Sequence, residues 1–290
     1  MKDEIKRYPF KAGLPVEFEI VQLKNLYTTS KKMLIVPHRT NFYHIFWFKS
    51  GGNTHLIDFE PVETSANTVL FLSKHKIHSF DESTNLDGLV ILFTDDFFSK
   101  TKEQARYLQS TMLFNDLKSI SKIRIQDNIK TFTDIVELME RELLQPADTF
   151  QPDLLRNLLH NFLLLSDRER SSMGFSEPKK NADLDYVIRF KDILEENYMK
   201  RKQVSSFAIE MYITDKRLNR ATSKILGKSP KQLIDERVML EAKRLLAYTN
   251  ESVKEISYRL GFEELTNFIK YFRKHDTRTP VEFRKSFTTE

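Results

Sequence analysis

Two groups of residues in this sequence have the types and spacings that chemistry requires. The first lies in VKEISYRLGFEELTNFIKYFRKHDTRTPVEFR, Val253–Arg284. At helical spacing, Phe268, Phe272 and His275 fall at i, i+4 and i+7 and make one buried stripe. Lys270, Arg273 and Lys274 project elsewhere on the same helix, with Glu264, Thr266 and Asn267 at its start. A helix docked by aromatics and loaded with cations suits a phosphate-lined groove.

The second group is His38, Thr40, His44 and His78. Alternate residues of a strand share a face, so positions 38, 40 and 44 are expected to point one way. Three imidazoles could hold a divalent metal. The other reading, adopted here, is that these residues line a metal-free ligand pocket. Cysteine is absent, which excludes disulfides, thiolate zinc sites and cysteine nucleophiles together. No catalytic set and no cofactor is assigned.

Short β-like segments must carry the histidines. Phe18–Leu23, Phe42–Phe48, Thr54–Glu60, Thr68–Leu72 and Leu89–Phe93 are rich in β-branched and aromatic residues and are separated by turn signals such as Ser50-Gly51-Gly52-Asn53. Several strands at near-regular spacing predict a small barrel or sandwich. Asp95-Asp96 reads as a helix start, and Gln126–Leu144 and Pro152–Arg168 follow as stronger helices. The apolar stripe of the last is wider than one barrel face needs. It is either fully buried or the seam of a homodimer formed through residues 126–165, and the dimer is the reading taken.

Residues 166–182, SDRERSSMGFSEPKKNA, exchange apolar residues for Ser, Gly, Pro and charge, which is how a tether reads. That places a first domain at 1–165 and a second at 183–290. Residues 183–290 carry 22 Lys and Arg against 17 Asp and Glu, while residues 1–182 carry 24 of each. The whole excess of the net +5 therefore sits in the second domain and points to an anionic partner. The opening MKDEIKR mixes acids with bases and no apolar core follows it, and no apolar run is long enough to span a bilayer. No membrane association and a cytoplasmic location are expected.

The second domain reads as helices throughout, and it repeats. Val204, Phe207 and Met211 recur as Val253, Ile256 and Leu260; Leu218, Ala221 and Pro230 recur as Phe268, Tyr271 and Pro280. A short helix, a tight turn and a second helix with a polar outer face is the helix-turn-helix pattern. In the first copy the outward residues are Lys216, Arg217, Asn219 and Arg220, with Leu218, Ala221 and Ile225 inward.

The run Gly261, Phe262, Phe268, Phe272, Arg273, Lys274, Thr279, Pro280 resembles the signature of AraC/XylS-type transcription regulators. PHRTNFYHIFWFKSGGNTHLIDF and FLSKHKIHSF resemble the cupin barrel, most of all the cupin-type sensory domain of the same regulators. An intact cupin metal site would put His at 38 and 40, an acid at 44 and His at 78, whereas Thr40 and His44 stand here. The resemblance implies an α+β fold of two domains: an N-terminal cupin-like barrel with following helices, then an all-α double helix-turn-helix. It implies a non-enzymatic, sequence-specific regulator of transcription. Its partners would be double-stranded DNA, a small-molecule effector in the barrel and, as a further candidate, RNA polymerase. The alternative is a metal-dependent cupin enzyme with an accessory helical domain. Two departures carry expectations: Thr277 stands where the second motif usually has Gly, which should alter that helix end. Thr222 replaces the usual aromatic at the position matching Phe272, which should loosen the first recognition helix.

Overall fold

The computed structural model describes residues 5–81, 86–115, 120–173, 181–200 and 202–287. These fall into two compact units, before and after residues 174–180. The first begins β1 (Lys6–Tyr8), β2 (Phe18–Gln22), α1 (Leu23–Leu34), β3 (His38–Thr40) and β4 (Tyr43–Gly51). It continues β5 (Thr54–Ile57), β6 (Glu60–Glu63), β7 (Thr68–Leu72), β8 (Ile77–Phe80) and β9 (Leu86–Phe93). Then come α2 (Asp95–Phe98), α3 (Lys102–Ser110), β10 (Lys122–Arg124), α4 (Ile129–Leu143) and α5 (Gln151–Ser172). Two five-stranded sheets result, ordered β1-β3-β8-β5-β6 and β10-β7-β4-β9-β2.

Strand β4 explains why this unit needs both sheets and helices. Its residues are buried on both faces. Phe46 and Phe48 join Leu70, Leu72, Ile57 and Phe80 in one core. Their strand neighbours Ile45 and Trp47 join Phe71, Ile91, Phe132 and Phe162 in another, against α4 and α5. Alternation sends successive side chains to opposite faces, so one strand supplies two cores. The expected strand Thr54–Glu60 is broken: Asp58 and Phe59 take positive φ of 48° and 72° and turn the chain into β6. Two consecutive left-handed residues match the twist of a tight hairpin.

The stretch read as a tether begins as helix. α5 runs on to Ser172, because its polar residues are anchored rather than solvated. Asp167 accepts from Tyr107 and Thr111 at 2.6 and 2.9 Å, and buried Arg170 donates to Ser121 Oγ at 2.7 Å. Residues 174–180 of that stretch lie outside the described residues.

The second unit is helical: α6 (Ala182–Asn197), α7 (Val204–Glu210), α8 (Asp215–Leu226), α9 (Pro230–Tyr248), α10 (Val253–Arg259), α11 (Leu265–His275) and α12 (Pro280–Lys285). Its starts are chemically marked. Thr214, Ser229, Ser252 and Thr279 each cap a helix, and the backbone N–H groups of the last three donate in return to Gln232, Glu255 and Glu282. Helix α9, 19 residues and hence ~28 Å, joins the α7–α8 pair to the α10–α11 pair. Among the described residues no helix is long and apolar enough to cross a membrane.

Candidate nucleic-acid interface

Both helix pairs turn through a left-handed residue at the same place in the repeat, Tyr212 (φ 57°) in the first and Gly261 (φ 75°) in the second. A Cβ at Gly261 would lie 2.0 Å from the Met199 carbonyl oxygen, so only glycine fits. Phe268 and Phe272 are fully buried on α11, as are Leu218, Ala221 and Thr222 on α8. Thr222 is fully buried, and its hydroxyl donates to Asn219 O at 3.2 Å within its own helix. His275 departs from the expected stripe. It is exposed, and its ring lies 4.7 Å from Tyr271, whose hydroxyl donates to Asp235 at 2.8 Å and ties α11 to α9.

Helices α8 and α11 end differently. Gly227 closes α8 in the left-handed conformation, φ 68°. At the matching Thr277, where a side chain would be strained, the chain avoids that conformation; Asp276 leaves α11 in an extended one, φ −134°. The Asp276 carboxylate is held by Arg278 at 3.0 Å and Lys243 at 2.9 Å, and these cations keep its pKa far below the usual carboxylate range.

At about 100° per residue, Lys216, Arg220 and Ser223 fan over one side of α8, opposite buried Leu218. Thr266, Lys270 and Arg273 fan over the matching side of α11, opposite Phe268. All six are exposed. Asn267 and Lys274 are exposed on one flank of α11, and Glu264 stands exposed at its start. Arg217 is placed otherwise. Its guanidinium donates to Asp183 Oδ1 at 2.5 Å and lies 4.8 Å from the Tyr186 ring. Lys224 holds the other oxygen of Asp183 at 2.8 Å. Arg217 and Lys224 thus occupy the flank of α8 that faces α6, and together they hold the Asp183 carboxyl below its ordinary pKa. Asn219 is half-engaged, donating to Asp215 O at 2.9 Å.

In the first unit the sheet register brings together the histidines that sequence spacing separates. His78 on β8 pairs with His38 on β3, and their ring centroids are 4.4 Å apart. His44 reaches the same ring from β4 at 5.0 Å. His55 on β5, outside the expected set, donates to or accepts from His78 Nδ1 through Nε2 at 3.0 Å. Thr40 is buried nearby, its hydroxyl bonded to Phe42 O at 3.2 Å. Burial lowers the pKa of all four imidazoles, to about 3 at His55. His44 Nδ1, His55 Nδ1 and His78 Nε2 are buried with no hydrogen-bond partner among the described residues. Neutral imidazoles are good ligands, yet among the described residues no group of three or more His, Asp or Glu is arranged to hold a metal ion. The metal-dependent enzyme reading finds no support in this geometry.

Residues 207–286 match a family described as a helix-turn-helix domain. Along most of its length the chain is similar to the HTH-type transcriptional activator RhaS of Salmonella schwarzengrund, 24% identical over 258 residues, covering 86% of this chain and 87% of that protein. Residues 207–286 are thus a helix-turn-helix domain, and the chain around them is similar to a transcriptional activator. Among solved structures, ToxT from Vibrio cholerae aligns over 94% of this chain and 98% of its own, with 14% identity and a TM-score of 0.44. An AraC-type DNA-binding protein from Chromobacterium violaceum aligns over 36% of it and 94% of its own chain, with 23% identity and a TM-score of 0.33.

Proposed function

We propose that this chain is an AraC/XylS-type regulator that reads double-stranded DNA with α8 and α11, and that a small molecule held in its first unit controls it. The observation that carries the DNA reading is the repeat itself. Two helices with exposed, largely cationic outer rows flank a connector of ~28 Å, close to the ~34 Å between successive major grooves on one side of a duplex. Lys216, Arg220, Thr266, Asn267 and Lys270 face base edges in this reading, Arg273 and Lys274 face phosphates, and Glu264 and Asn219 border them. The effector reading rests on His38, Thr40, His44, His55 and His78. Unpartnered buried polar atoms cost about 1–3 kcal/mol each, and a polar ligand among them would recover that. Occupancy would then shift the population that engages the operator.

A homodimer through α4 and α5 fits the apolar side chains those helices leave exposed, Leu138, Leu154 and Leu164 among them. Contact with RNA polymerase and a cytoplasmic location belong to the same reading. Selection from a random duplex library with the full chain tests the DNA reading. One preferred sequence, bound with an affinity that falls steeply with salt, is expected; equal binding to all duplexes would overturn it. For the effector, no change in operator affinity across a titrated panel of small metabolites would count against the reading.

A further inference from the structure

The matched outer rows of α8 and α11 carry unlike chemistry. On α8, Lys216 and Arg220 are exposed four residues apart, and neither makes an ion pair among the described residues. Asn219 beside them has one amide hydrogen committed to Asp215 O at 2.9 Å, and Arg217 is turned away onto Asp183. What this helix offers a groove is two cationic donors. On α11 the position matching Lys216 is Thr266, whose hydroxyl donates to Glu264 Oε2 at 3.2 Å. With its proton directed at that carboxylate, Thr266 has its methyl left to contact a neighbour. Ile269, three residues on and matching Asn219, is only half-buried at the border of the same row. Two methyl-bearing side chains therefore stand together next to Lys270.

We propose that the two motifs read unlike base edges: Lys216 and Arg220 take guanine O6 and N7, while Thr266 and Ile269 enclose a thymine 5-methyl group. Donors to guanine and apolar contact to the thymine methyl are the two chemistries that separate these bases in the major groove. The DNA site is then asymmetric within one protomer. It has a guanine-containing segment under α8 and a thymine-containing segment under α11, about one helical turn apart. Arg217 is a positioning residue, acting through Asp183 to fix α8. The proposal rests on the DNA-binding reading above and adds base identity to it.

The test uses the full chain and the duplex selected from a random library. Each thymine is replaced in turn by uracil, which removes only the methyl group and leaves the protein untouched. Uracil in one segment is expected to weaken binding about fourfold, the value of one buried methyl. The loss should vanish in Thr266→Ala and persist in Thr266→Val. Lys216→Ala or Arg220→Ala should erase guanine preference, about 5- to 150-fold, in the other segment only. Arg217→Ala should weaken all duplexes alike, and Asp183→Asn should reproduce that uniform loss. Uracil tolerated at every position, or thymine dependence that Lys216→Ala abolishes, would overturn the assignment while leaving DNA binding intact. Failure to select any sequence would remove the DNA reading and this inference with it.

Discussion

Four imidazoles from the two sheets cluster together, and burial favours the neutral form of each. The unfolded chain, with ordinary histidine pKa values near 6.5, binds more protons than the folded one in the range below that value. Stability is therefore complete above about pH 6.5 and falls as pH drops through the window toward the folded values, about 3 for His55. Thermal melts from pH 7.5 to 5 are expected to show a falling Tm, with a shallower fall in His55→Phe; a flat profile would contradict the cluster. His55 itself was not legible in the sequence as a member of the set. Its strand joins the others only through the pairing of β5 with β8, a long-range contact that local spacing does not encode. On the DNA side, Phe272 is fully buried, and Phe272→Ala should cost about 3–5 kcal/mol of stability by chemical denaturation. Exposed Lys270 should behave oppositely: Lys270→Ala leaves the melt unchanged and costs about 1–3 kcal/mol of operator affinity.

At the scale of elements, two acidic residues decide how each recognition helix is held. Asp183 on α6 grips α8 at Arg217 and Lys224, whereas Asp235 on α9 grips α11 through Tyr271. A double-mutant cycle between Asp183→Asn and Arg217→Ala should show strong coupling in thermal stability; additive losses would mean that the clamp does not fix α8. Helices α8 and α11 are both legible in the sequence because caps, periodicity and the glycine stop at Gly227 are local signals. Arg217 reads there as an outer-face residue because an exposed cation and a clamped one look alike until the neighbouring helix is known. Helix α1 went unread, following directly on β2 with no side-chain cap at Gln22 and with a non-helical Ser30 inside it. The same limit hid the length of α5, whose polar end is stabilised by Tyr107, Thr111 and Ser121 from elsewhere in the unit.

For the whole molecule, the charge excess of residues 183–290 predicts a binding constant that falls linearly with salt on logarithmic axes, by roughly 0.9 per phosphate contacted. Removing one phosphate contact, as with Lys274→Ala, should shrink that slope by about 1 without changing which sequence is preferred; anisotropy titrations at several salt concentrations measure both. The proposed dimer has a separate test at exposed Leu154 and Leu164. Leu154→Glu with Leu164→Glu should convert a sedimenting dimer to monomer while the melt is retained, and an unchanged mass would place any dimer seam elsewhere. The sequence by itself determined the two-part layout, the duplicated helix pairs and the cationic outer rows, since these rest on composition, period and caps, which act over a few residues. Only the tertiary structure decided which cations stay exposed, which histidines meet and where the tether-like stretch is still helix. Each of those depends on partners tens of residues away, brought within hydrogen-bonding distance by sheet register or helix packing.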